Sequence, residues 1–383
     1  AGSDFPSSLV PLIQSWTTSA LVRNDPSRLT TRGWNSYSSE TQYRQFKYTT
    51  LKWRLEAEDL IQAPALLNSR SFHLICSPTR CISLVQNILS LRRNYLSHNG
   101  REPQKPLFIW EPVPDAMKPE ELLNVTSALA SVDVCSPNHA ELGQLMACTG
   151  ELADGSVDKD FVEEATEQLI SSMPLSSVAI VVRCGAEGCY IGQNGGRTAK
   201  RQAWAPKQTP AEKSPEKKIS GEGISLTENV DMFALLGGLS TRNDTEDDED
   251  SDEDMEEPEN DYGLSTWIPA YHTNSAKVVD PTGGGNAFLG GMAVSFARGQ
   301  DIVTAAKMGS ITASFAIEQV GMPTLARNEN GKETWNGVVV EDRIGDFERR
   351  LDGSLGTVDD LVDGVQGIAL KPVLASANCV SMV

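Results

Sequence analysis

The sequence predicts a layered α/β domain, a mostly parallel central sheet between helices, and three observations predict it. From about residue 45 short apolar runs alternate with segments of helical period, which is the pattern of βαβ units. Residues 177–184 have a continuous apolar centre, as expected of a strand buried on both faces of a parallel sheet. Near residue 283 a glycine turn leads into a segment with one apolar face, which reads as a turn opening a helix.

Taken in order, residues 46–53 alternate polar and apolar types and read as a strand. Residues Ser71–Cys76 form a short buried strand. Residues 82–96 carry apolar side chains near helical spacing. Residues 107–110 are an apolar run stopped by Glu111-Pro112. Residues 118–130 read as a helix, 132–134 as a strand and 140–147 as a helix. The pattern resumes at 266–271 with a strand, followed by two helices. Residues 351–383 are left as a C-terminal tail.

Between the two parts, residues 196–263 hold few large apolar side chains. They begin with a basic, Pro-containing piece and end with an acidic one. Such a composition cannot bury enough surface to offset its ordering entropy, so it is read as a disordered insertion within one domain (1–195 and 264–350). Met232, Phe233, Leu235 and Leu236 make a short apolar patch there that suits a protein partner or is a transient helix. Ser251 lies in Asp250-Ser251-Asp252-Glu253-Asp254 and is expected to be phosphorylated by an acid-directed kinase. The basic and acidic pieces also suit self-association by charge.

Composition excludes several classes. The 383 residues carry 33 basic and 52 acidic side chains, a formal charge of −19. Thirteen of the acidic residues lie between Asp244 and Asp261, and without them the charge is near −6. That is an ordinary soluble domain without the basic face of a nucleic-acid binder. The seven cysteines include no CxxC pair, and the four histidines lack ligand spacing, which argues against zinc and against a disulfide framework. The reading is of reduced thiols in a cytoplasmic protein, with the nucleus left open and no membrane partner. Cys379 misses a prenylation box by one residue. The chain begins at Ala1 rather than Met, as a processed protein or a fragment would.

The chemistry sits in Asp280-Pro281-Thr282-Gly283-Gly284-Gly285-Asn286-Ala287-Phe288-Leu289-Gly290-Gly291, read as a strand end, a glycine turn and a helix start. Glycines there bare backbone N–H groups to an anion, and the helix dipole adds favourable potential. Gly290 and Gly291 weaken a helix and need a reason, such as close helix–strand packing. Two commoner phosphate motifs fail. The only Gly-Lys, Gly331-Lys332, is followed by Glu333, and Phe288 stands where a dinucleotide fingerprint needs its third glycine.

The stretch resembles the C-terminal signature of the PfkB/ribokinase family, through Asp280, Thr282, Gly283, Gly285, Phe288, Gly290 and Gly291. Pro137, Asn138 and Glu141 resemble the family's Pro-Asn-x-x-Glu element, and Gly185 with Gly188 its strand-Gly-x-x-Gly turn. The three occur in the family's order. The Gly2-Ser-Asp4-Phe5 opening and the long insertion look most like the fungal branch that includes the yeast killer-maintenance protein.

The resemblance implies a ribokinase-like three-layer fold with a small β lid. It implies an ATP-dependent phosphotransferase acting on a hydroxyl of a sugar or nucleoside-like small molecule. Gly283, Gly284 and Gly285 would form the anion hole. Asn138 and Glu141 would organise Mg²⁺, although from spacing alone they are a helix N-cap and its capping-box partner. Gly185 and Gly188 would lie near the nucleotide. Asp280 and Thr282 would help hold a monovalent cation such as K⁺. The family's first strand and its Gly-Gly substrate motif lie upstream of these residues. One departure stands out. Asn286 occupies the place of the family's aspartate base, and an amide cannot usefully take a proton near neutral pH. A catalytically impaired scaffold of the same fold is therefore the alternative.

Overall fold

The structure, a computed structural model, describes residues 1–16, 18, 20–37, 44–174, 178–195, 263–354 and 379–382. The insertion, its apolar patch and Ser251 lie outside the described residues. The described residues belong to one unit, Ala1–Arg197 with Asp261–Val383.

The N-terminal part carries α1 (Leu9–Ser15) and an antiparallel hairpin of β1 (Gly33–Tyr37) and β2 (Arg44–Tyr48). The strand expected over 46–53 therefore ends at Tyr48. Then come β3 (Ser71–Cys76), α2 (Pro78–His98), β4 (Leu107–Pro112), α3 (Leu122–Leu129), β5 (Val134–Cys135) and α4 (His139–Leu145). They are followed by α5 (Lys159–Ser171), β6 (Ala179–Arg183), β7 (Cys189–Gln193) and β8 (Leu264–Ile268). The C-terminal part holds α6 (Gly284–Ala297), α7 (Ile302–Ile317), β9 (Leu325–Arg327), β10 (Glu333–Trp335), α8 (Val340–Ser354) and β11 (Cys379–Met382).

Seven strands form one sheet in the order β11-β3-β4-β5-β6-β7-β8. Pairing is parallel from β11 to β6 and antiparallel from β6 to β8. Successive residues of a strand face opposite ways, so each inner strand feeds two cores. Phe72, Leu74, Phe108, Trp110, Ile180 and Val182 pack with α2 to α5, whereas Ile109 and Val181 pack with α6 to α8. That is why the strand sequences read as continuous apolar runs rather than alternating ones. Trp110 is fully buried, and its indole N–H donates to the Cys76 carbonyl at 3.0 Å.

Several expectations shift. β4 does not stop at Glu111-Pro112, because β3 continues alongside and pairs Ile75 with Glu111 and Cys76 with Pro112. The helix expected over 118–130 opens as a 3-10 turn at Pro119–Glu121 and becomes α-helical only from Leu122. Residues 278–280 are not a strand end. Their backbone is tied instead to the end of α7, with the Val279 and Asp280 N–H groups donating to the Ile317 carbonyl at 2.8 and 3.2 Å. The tail is not wholly separate, since α8 runs to Ser354 and β11 adds the outermost parallel strand beside β3. Cys76, Cys81, Cys135, Cys148, Cys184 and Cys189 are free, and all but Cys148 are buried. Among the described residues no helix is long and apolar enough to cross a membrane.

Candidate active site at the start of α6

The glycine turn behaves as its residues dictate. Gly283 caps α6 with φ 87° and ψ −11°, a left-handed conformation that disfavours any side chain. Asp280 prepares the turn, since its Oδ1 accepts from the Thr282 N–H at 2.9 Å. That hydrogen bond holds the Asp280 carboxyl below its ordinary value, so it is ionised at neutral pH. Gly284 is buried, and a Cβ there would lie 2.9 Å from Ile317 Cγ2. Its N–H donates to the Pro281 carbonyl at 3.2 Å, and the first intrahelical bond runs from Ala287 N–H to Gly283 O. The N–H groups of Gly285 and Asn286 precede that bond, in the part of a helix that lacks internal acceptors.

Gly285 faces a charged group that the motif reading does not contain. A Cβ on Gly285 would overlap Arg183 Nη1 and come to 3.9 Å from Glu111 Oε1. Arg183 ends β6, two residues before Gly185, and Glu111 lies near the end of β4. Arg183 Nη1 pairs with Glu111 Oε1 at 2.9 Å, and Nη2 lies 3.8 Å from Glu141 Oε2. Nη2 also donates to the Ser136 carbonyl at 3.1 Å. On the other side of Glu111, Oε2 meets Nε2 of the buried His73 at 3.1 Å. The signal for His73, Glu111 and Arg183 was present in the sequence: each is a charged or titratable residue within, or at the end of, an otherwise apolar strand.

Asn138 and Glu141 form the reciprocal capping box of α4. Glu141 N–H donates to Asn138 Oδ1, and Asn138 N–H donates to Glu141 Oε2, both at 2.8 Å. Asn138 also bridges to Arg183 in parallel register. Arg183 thus links all three sequence motifs, touching the glycine turn, the Asn138/Glu141 cap and the strand before Gly185. Gly188 (φ 87°, ψ −124°) closes the turn after β6, where Cys184 N–H donates to its carbonyl at 2.7 Å. Gly185 also has positive φ, 56°, but open space around it. Asn286 is exposed on the first turn of α6 and makes no side-chain hydrogen bond among the described residues. Gly291 packs against α7 rather than a strand, because a Cβ would overlap Thr312 Oγ1 and lie 2.8 Å from the Met308 carbonyl. Gly290 has nothing within 4 Å of a Cβ, and nothing in the structure explains it.

Burial alone would raise the Glu111 carboxyl. The charge of Arg183 and the hydrogen bond with His73 outweigh burial and hold it below its ordinary value. A carboxyl lowered on folding contributes stability that is complete above its unfolded pKa and is lost as pH falls through the folded one. Glu111→Gln is therefore expected to be less stable than the parent at neutral pH, with the gap narrowing on acidification. Urea unfolding at neutral and at mildly acid pH measures it.

A sheet that is parallel over four of its six pairings, helices on both faces and a glycine-started helix define a ribokinase-like α/β protein. The pfkB family carbohydrate kinase signature matches residues 266–327, which span β8, the glycine turn, α6 and α7. Protein MAK32 of Saccharomyces cerevisiae is 29% identical over 358 residues, covering 90% of this chain and 75% of that protein. An uncharacterized protein of Schizosaccharomyces pombe is 25% identical over 347 residues, covering 90% and 77%. Among solved structures, ribokinase from Giardia lamblia matches with a TM-score of 0.51 at 13% identity, covering 92% of this chain and 81% of that one. The chain thus carries a pfkB family carbohydrate kinase match over residues 266–327 on a ribokinase-like fold.

Proposed function

We propose that the protein is an ATP-dependent phosphotransferase acting on a hydroxyl of a sugar or nucleoside-like small molecule. One observation carries the reading. The left-handed Gly283 opens α6 with two further glycines, so the backbone can approach a phosphate closely at a helix N-terminus. The pfkB family carbohydrate kinase match over residues 266–327 suggests the reaction class. In this reading Gly283, Gly284 and Gly285 hold the transferring phosphate, and the N–H groups of Gly283 and Gly285 meet the charge that develops on its oxygens. Gly185 and Gly188 shape the loop that flanks the nucleotide. The ionised Asp280 and the Thr282 oxygens have the hard-donor chemistry that suits K⁺. Magnesium fits less well. Among the described residues no group of three or more His, Cys, Asp or Glu is placed to hold a metal ion. Glu141, the residue that would serve a metal's water shell together with Asn138, shares its carboxylate with the α4 cap and with Arg183.

The test is to incubate the full chain with ATP and Mg²⁺ against a panel of sugars and nucleosides, reading phosphorylated product by mass. Product with one substrate class supports the reading, and ATP hydrolysis with no acceptor product from any class sinks it.

A second reading is a nucleotide-binding scaffold that no longer transfers phosphate, favoured by the exposed amide of Asn286 at the base position. It expects residues 196–263 to carry a protein partner, so deleting them abolishes that interaction and leaves nucleotide binding unchanged.

A further inference from the structure

Four titratable or charged side chains from four elements meet beside the start of α6: His73 on β3, Glu111 on β4, Glu141 on α4 and Arg183 on β6. The guanidinium of Arg183 stands between the two carboxylates. Its side chain is 14% exposed, against 13% for Glu111 and 10% for Glu141. We propose that Arg183 is the resident cation of the anion site: it fills the charge-balancing place between Glu111 and Glu141 that a divalent ion would otherwise need, so that a polyphosphate binds at the glycine turn without a metal. The proposal rests on reading that turn as a phosphate site.

The geometry carries it in three ways. A hard divalent ion binds through carboxylate oxygens, and here those of Glu111 and Glu141 already face a positive charge. A metal would have to displace the guanidinium. Arg183 is also pinned rather than free to swing aside, because Nη2 donates to the Ser136 carbonyl and Arg183 N–H donates to the Pro137 carbonyl at 3.0 Å. Finally, the guanidinium presses on Gly285, at the positive end of the α6 dipole. The buried Nε of Arg183 has no hydrogen-bond partner, so the planar fork that suits phosphate oxygens is not fully used within the protein. On this account glycine at 285 admits Arg183 as well as the phosphate, since a Cβ would overlap Nη1.

The experiment is calorimetric titration of the full-length protein with inorganic tripolyphosphate and with ADP, each in EDTA and in excess Mg²⁺. The parent protein is expected to bind tripolyphosphate nearly as well in EDTA as with Mg²⁺. Arg183→Met is expected to bind about 10–100-fold more weakly in EDTA, the range for one charge-assisted hydrogen bond, and to regain affinity when Mg²⁺ is added. Arg183→Lys keeps the charge without the fork, and is expected to keep part of the metal-independent binding. Tripolyphosphate binding by the parent only with Mg²⁺ overturns the proposal and leaves the phosphate site standing. So does unchanged EDTA binding by Arg183→Met. If tripolyphosphate binds in EDTA but ADP does not, the proposal stands and the nucleotide reading falls. If neither ligand binds under any condition, both fall. The parent comparison needs no variant, so an Arg183→Met protein that fails to fold does not rescue the idea.

Discussion

Asn286→Asp is expected to raise the phosphate-transfer rate by about 10²–10⁴-fold, the usual contribution of a general base. The residue sits on the first turn of α6, is exposed and makes no side-chain hydrogen bond that the change would break. An aspartate at a helix N-terminus also interacts favourably with the dipole, by about 0.3–1 kcal/mol. The variant should therefore be at least as stable as the parent, so a failure to gain rate cannot be assigned to poorer folding. Saturating-ATP turnover, with a thermal melt of both proteins, measures both effects. No phosphate transfer by either protein while nucleotide still binds would remove the kinase reading and favour the scaffold.

Gly188→Ala is expected to destabilise the protein by about 3 kcal/mol, combining a glycine-only backbone conformation with a direct collision. At φ 87° and ψ −124° an L side chain is strained whatever the space. The added Cβ would also overlap the Ile268 carbonyl and come to 2.5 Å from Pro269 C and 2.6 Å from Ala270 N. Relief requires β7 to part from the segment after β8, and the turn that follows Arg183 moves with it. Phosphate binding should therefore weaken together with stability. Gly185→Ala is the control. Its φ of 56° also disfavours alanine, but nothing lies within 4 Å of its Cβ, so the expected cost is only about 1–2 kcal/mol. Urea unfolding of the two variants separates collision from conformational strain.

The inner strands were legible because burial on both sheet faces removes polar residues from the sequence itself. Ser71–Cys76 has the same bounds in both readings, and α2 runs slightly beyond its predicted 82–96. Other elements were less legible. Helix α5 buries Val162, Ala165, Leu169 and Ile170 along one face behind an Asp158 cap, yet its charged remainder hides that face among surface residues. The last strand, β11, is defined by the partner it finds on β3 across some three hundred positions, and no local signal encodes such a pairing.

The sequence by itself determined the resemblance to the PfkB family and the glycine turn, because each depends on residue types at fixed local spacing. It also supplied both readings of Asn138 and Glu141, and the structure realises the cap. What only the tertiary structure decided is the charge of the site. His73, Glu111, Glu141 and Arg183 stand far apart along the chain and become neighbours because parallel strands end on the same edge of a sheet. At that edge Arg183 reaches Glu111, Glu141 and Gly285 together. Electrostatic energy depends on distance in space rather than in sequence, so the cation of this site could be found only after the chain was folded.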